Sequence, residues 1–139
     1  MEVTSIEQSK ELLNAGLSRE SADLWWIQRY IAEWVGNDEE GKTVEHLVDP
    51  VTYVSFVNDG LHNTSQDKVI ATPAWSLGKL LNMFKDKIFE LNVYNKTWSA
   101  SNGFVIEQEE HWIHQEFDER PIGAVVKLIL KLKRERVEI

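Results

Sequence analysis

The chain has 139 residues, a net charge of −8 at pH 7 and no cysteine. A chain of this length can bury a hydrophobic core without staples, and the missing thiols exclude disulfides, thiol nucleophiles, Cys-ligated zinc and iron–sulfur clusters. With 42% hydrophobic and 27% charged residues, the composition is that of a folded globular chain rather than a disordered one.

One domain over residues 1–139 is expected at this size. Met1–Gln8 has no basic stretch and no apolar run, so a secretory signal is not expected. No segment approaches the roughly 18 consecutive apolar residues of a membrane helix, and the expected location is the cytoplasm. Residues 1–72 hold 5 Lys+Arg against 13 Asp+Glu, and residues 73–139 hold 10 of each. The acidic half argues against bulk nucleic-acid binding, which needs cations to neutralise phosphates.

In chain order, a first helix is predicted over about residues 5–14, with Gly16 as its stop. A second is predicted from Ser18, as its cap, to about Val35. On a helical wheel Leu24, Ile27, Tyr30, Ile31, Trp34 and Val35 share one face, while Trp25 and Trp26 fall off it. Gly36–Lys42 and Asn58–Asp67 read as polar loops. Val51–Val57, rich in β-branched and aromatic residues, reads as a strand, followed by a turn at Asn58-Asp59-Gly60. Lys68–Ala71 is a candidate partner strand.

Thr72-Pro73 reads as the cap and first residue of a third helix. Leu77, Leu80, Leu81 and Phe84 then follow the i, i+3, i+4, i+7 spacing of a buried stripe. Gly78 within it, which costs roughly 1 kcal/mol relative to Ala, is expected to admit another backbone. Phe89, Leu91 and Val93 alternate with polar residues as in a half-buried strand. Asn95-Lys96 begins a turn, two more strands run through Trp98–Ile106 and Trp112–Phe117, and a last helix opens at Pro121 and ends near Arg136. The predicted class is α+β: a small antiparallel sheet of three to five strands packed with helices, ending in a helix–strands–helix unit.

Few strings carry chemistry. His111 and His114 are the most metal-like pair, but on a strand they are expected on opposite faces, where they cannot share an ion. Ser76 lacks the flanking glycines of a nucleophile elbow and reads as a local hydrogen-bonding residue. Glu109 and Glu110 are adjacent, which separates them on a strand. The sequence points to no catalytic residue, no metal site and no cofactor.

Two surface features are candidates for partner binding. Lys127, Lys131 and Arg134 repeat along one arc of the last helix, and can contact an acidic partner, favour the helix C-terminus, or pair with the protein's own acidic half. Among the tryptophans, Trp34, Trp75, Trp98 and Trp112 are expected in core and sheet packing. Trp25 and Trp26 are the pair that one helix face cannot bury.

The helix–strand–strand–strand–helix order is similar to that of double-stranded RNA-binding domains. Those carry lysines at the start of the last helix, where this chain has Arg120-Pro121-Ile122-Gly123-Ala124. Pro73-Ala74-Trp75-Ser76-Leu77 with Leu80-Leu81, Leu17-Ser18-Arg19-Glu20-Ser21-Ala22-Asp23, and Pro121-Ile122-Gly123-Ala124 resemble a group of small proteins of gut anaerobic bacteria, often found near phage-derived or mobile elements. The resemblance covers about residues 10–35 and 72–136, and 36–71 departs from it as an enlargement. It implies one compact α+β domain and no particular activity. The first functional expectation is a non-enzymatic accessory protein that binds another protein or itself. A nucleic-acid module using the last helix, and a small hydrolase with a site assembled from distant residues, are the alternatives.

Overall fold

The computed structural model describes residues 2–59, 68–137 and 139, without the side chains of 31–35, 39, 55–59 and 68. The loop expected up to Asp67, with His62, therefore lies largely outside the described residues, as does the side chain of Trp34. The elements are α1 (Ile6–Asn14), a 3-10 turn (Arg19–Ser21), β1 (Leu24–Val35), β2 (Asp38–Val48), α2 (Pro50–Asp59), β3 (Lys68–Ala74), α3 (Leu77–Asn82), β4 (Ile88–Tyr94), β5 (Thr97–Ile106), β6 (Glu109–Asp118) and α4 (Pro121–Arg134). The fold is α+β. Among the described residues the strands form two antiparallel three-stranded sheets, ordered β2-β1-β3 and β4-β5-β6, where one sheet was expected.

The second predicted helix is a strand. After the short turn at Arg19–Ser21, residues 24–35 pair with β2 on one side and β3 on the other. Bulky Trp, Ile and Tyr side chains favour a pleated surface, and that preference outweighs the helical-wheel pattern. Gly36 closes the β1–β2 hairpin at φ 67°, the position where a two-residue hairpin loop asks for glycine. The expected loop over 36–42 is thus mostly strand.

The opposite error occurs at 50–59, predicted as a strand and turn and found as α2. Asp49 Oδ1 accepts the Thr52 N–H at 2.7 Å, and Pro50 opens the helix where no donor is needed. This cap outweighs the β preference of Val51, Tyr53 and Val54.

The third helix starts later than predicted. Thr72-Pro73-Ala74 belong to β3, and Ser76 is the cap, its Oγ accepting from Lys79 N. Pro73 is tolerated because β3 is an edge of the main ladder. Beyond that edge, Thr4 N donates to Trp75 O at 2.9 Å and Leu77 N to Glu2 O at 3.0 Å. Gly78 is exposed and a Cβ there would meet nothing within 4 Å, so it admits no neighbouring backbone.

The first helix is as predicted, with a Ser5/Gln8 capping box and Gly16 at φ 109°. The core gathers Leu12 and Leu17, Trp75, Leu80 and Phe84, Ala100, and the apolar residues of α4 from Ile122 to Leu132. Residues 122–126 are buried all round the helix, so α4 is the central element, lying on one face of β4-β5-β6 with α1 and α3 beside it. Each fully buried leucine or isoleucine there contributes about 1.5–3 kcal/mol relative to exposure. No helix among the described residues is long and apolar enough to cross a membrane.

Candidate functional site

Two cations of α4, Lys127 and Lys131, face their own sheet. Lys127 Nζ lies 2.9 Å from Asp118 Oδ2 and 2.9 Å from the Phe117 carbonyl oxygen, and Lys131 Nζ lies 3.6 Å from Glu116. His114 Nε2 meets Glu135, and its Nδ1 lies 3.1 Å from Asn102 Oδ1. The ladder is geometric. Positions 127, 131 and 135 rise about 6 Å per step on a helix, and 118, 116 and 114 fall about 6.6 Å per step on the strand running back beside it. The pairing predicted with the acidic N-terminal half is thus made with β6 instead. Arg134 is exposed and borders a surface depression of ≈ 440 Å³ with Lys133, Leu130, Glu11, Asn14 and Ala15.

Asp118 also shapes the start of α4. The Arg120 N–H that donates to its carboxylate holds it below the usual carboxylate range, with Lys127 adding to the effect and partial burial opposing it. Gly123 lies against that carboxylate, where a Cβ would overlap it. Asp49 is likewise held low by the Thr52 N–H and hydroxyl.

Trp25 and Trp26 are neighbours on a strand, so they point to opposite faces. Trp25 stacks on Tyr53 of α2 at 3.9 Å between centroids, with the Arg19 guanidinium 5.9 Å from its ring. The Trp26 indole donates to the Thr4 carbonyl oxygen at 2.8 Å. Both rings are half-buried, each against a different element.

Two of the resemblance-bearing segments, residues 17–23 and 73–77, meet in one junction. Asp23 accepts from Ser76 through both N–H (2.8 Å) and Oγ (2.5 Å), and Trp75 Nε1 lies 3.0 Å from Ser21 Oγ. Trp75 is fully buried, and its N–H donates to Thr4 Oγ1, which pairs with Ser9 Oγ. Every polar group in this junction has a partner, and no histidine is among them. It fastens the first sheet to α1 and α3.

One region left open among the described residues is the outer face of β4-β5-β6, opposite α4. A β-bulge builds it: the register slips between Asn102, opposite His114, and Gly103, opposite Trp112. Gly103 is required there, since a Cβ would overlap the His111 carbonyl. The extra residue breaks the alternation of β6 and leaves Trp112 and Ile113 both lining the outer face. It also brings His111 and His114 to the inner face, beside Phe104 (rings 5.2 Å apart) and Asn102. That corrects the expectation of opposite faces, yet no group of three metal-ligating side chains forms among the described residues.

On the outer face, Glu90, Asn92, Ser101, Trp112, Ile113, His114 and Gln115 line a groove of ≈ 340 Å³, although the His114 ring itself is turned to Asn102 and Glu135. Trp112 is 43% exposed, Phe117 52% and Tyr94 87%. Trp112, expected in the packing, is exposed, whereas Trp75 and Trp98 pack in or against the core. The signal in the sequence is the run His-Trp-Ile-His, which breaks strand alternation. Comparison with protein-family models, curated proteins and solved structures finds no match for this chain.

Proposed function

We propose that this chain is a non-enzymatic accessory protein of the bacterial cytoplasm that binds another protein through the outer face of β4-β5-β6. The observation that carries the reading is the asymmetry of that sheet. Its inner face holds α4 and most of the core, while its outer face leaves Trp112, Ile113, Phe117 and Tyr94 open around a polar groove. Clustered exposed aromatic and aliphatic side chains with polar groups between them are the composition of protein-binding patches. The pairing of Lys127 and Lys131 with β6 supports this face over the last helix as the binding surface. The resemblance to proteins near phage-derived and mobile elements supports an accessory role.

A random-peptide selection against the immobilised protein tests this reading, with a counter-screen on the Trp112→Ser/Phe117→Ser variant. Selected ligands are expected to bind the native chain and lose the variant, whose circular dichroism stays native because both rings are exposed. Ligands indifferent to the variant, or no ligand at all, would remove the basis of the proposal.

A further inference from the structure

We infer that the partner presented to this face is a cationic, extended protein segment carrying two basic residues with apolar residues between them. The inference rests on the reading above and adds the chemistry of the ligand. By strand register the outer face consists of Ile88, Glu90, Asn92 and Tyr94, then the odd residues of β5, then Glu110, Trp112, Gln115 and Phe117. Its two charged side chains, Glu90 and Glu110, are both acidic. Glu107 and Glu109 stand exposed at the adjoining hairpin end. The nearest lysines of α4, Lys127 and Lys131, lie on the other side of the sheet against Asp118 and Glu116.

The spacing defines the segment. Glu90 stands opposite Ser101, and Glu110 opposite Val105, four residues further along β5. That is about 13 Å along the strands and about 10 Å across two strand spacings, hence about 16 Å between the carboxylate-bearing positions. An extended chain covers this in about five residues. Residues between its two cations would pass over Trp112 and Ile113, and the Trp112 ring offers a π-face to a guanidinium or ammonium group. A second copy of this face would set glutamates against glutamates, and a nucleic acid would set phosphates against them.

Isotope-edited NMR of the full chain tests the inference with three blocked peptides that share valine and threonine interiors. They carry two lysines, two glutamines or two glutamates four positions apart, the nearest even spacing, so that both side chains of the extended segment face the sheet. The lysine peptide is expected to shift the resonances of Ser101, Trp112, Ile113 and Gln115. Its affinity should fall roughly fivefold to tenfold in Glu90→Gln/Glu110→Gln, and fall further with added salt. Equal binding of the glutamine or glutamate peptide at the same residues overturns the cationic inference and leaves the interaction face standing. No peptide shifting this face, or shifts confined elsewhere, overturns both. Shifts of this face on adding a DNA or RNA duplex, or on raising the protein concentration alone, reassign the occupant and also overturn the inference.

Discussion

The Asp23 carboxylate receives both the backbone N–H and the hydroxyl of Ser76, 53 residues away in the chain. Ser76 in turn accepts the Lys79 N–H that starts α3. One ion thus fixes the end of β3, the cap of α3 and the approach to β1. Removing one partner leaves the other's polar groups partly unsatisfied, at about 1–3 kcal/mol, and Ser76→Ala also loses a cap worth about 0.5–2 kcal/mol. Asp23→Ala and Ser76→Ala are expected to destabilise the chain by amounts that do not add in the double variant. Urea denaturation of the four proteins measures this, and additive losses would show that the contact is not a coupled unit.

Stability should fall in acid through two named carboxylates. Asp118 and Asp49 have folded pKa values below their unfolded ones. Their contribution is therefore complete above the unfolded pKa and is lost as pH drops through the folded value. Thermal melts between about pH 5 and about pH 2 should show a decline that is shallower in Asp118→Asn, where the amide no longer titrates. An unchanged slope would count against the Asp118 contacts with Arg120 N–H and Lys127.

Gly103→Ala tests the bulge. The added methyl overlaps the β6 backbone at His111, and backbone yields less readily than a side-chain tip. A loss of about 1–3 kcal/mol is expected, with chemical-shift changes reaching Trp112 and Ile113. A silent substitution would mean that the register slip is not fixed by glycine.

The β5–β6 turn holds Glu107 at φ 53° and Gln108 at φ 68°. A left-handed conformation costs a residue with a Cβ roughly 1–2 kcal/mol, and glycine avoids most of that cost. Gln108→Gly is expected to raise stability by about 1 kcal/mol, readable as a higher denaturation midpoint. A lower midpoint would contradict the left-handed geometry of this turn.

The elements legible in the sequence are those whose signals nothing nearby contradicts. α1 has a glycine stop, and α4 opens at a proline. β4 to β6 have alternation bounded by turns. Where signals conflicted, the reading failed in a physically consistent way. At Ser18–Val35 the apolar positions fit a helical wheel, but the side chains are those of a strand, and the hairpin glycine Gly36 decides. At Pro50–Asp59 the side chains favour a strand, but Asp49 and Pro50 supply a helix start. Thr72-Pro73 imitates a cap that Ser76 provides.

The candidate site was less legible than the fold. One face of a helix cannot bury both Trp25 and Trp26, whereas on β1 each has its own partner, Tyr53 or Thr4. Lys127 and Lys131 are matched by Asp118 and Glu116 only through the equal rise of helix and strand, which no local pattern displays. The open face depends on a one-residue slip in β6 that turns Trp112 outward, and register slips of that kind are set by tertiary pairing.

The most direct test compares two single substitutions, Trp112→Ala and Trp25→Ala, in binding to a ligand selected on the native chain. Trp112→Ala is expected to weaken binding by about tenfold or more with the melting temperature unchanged. Trp25→Ala should lower the melting temperature through the lost Tyr53 stack and leave the affinity intact. The reverse pattern, with affinity lost at Trp25 and kept at Trp112, would contradict the assignment of the outer face of β4-β5-β6 as the binding surface.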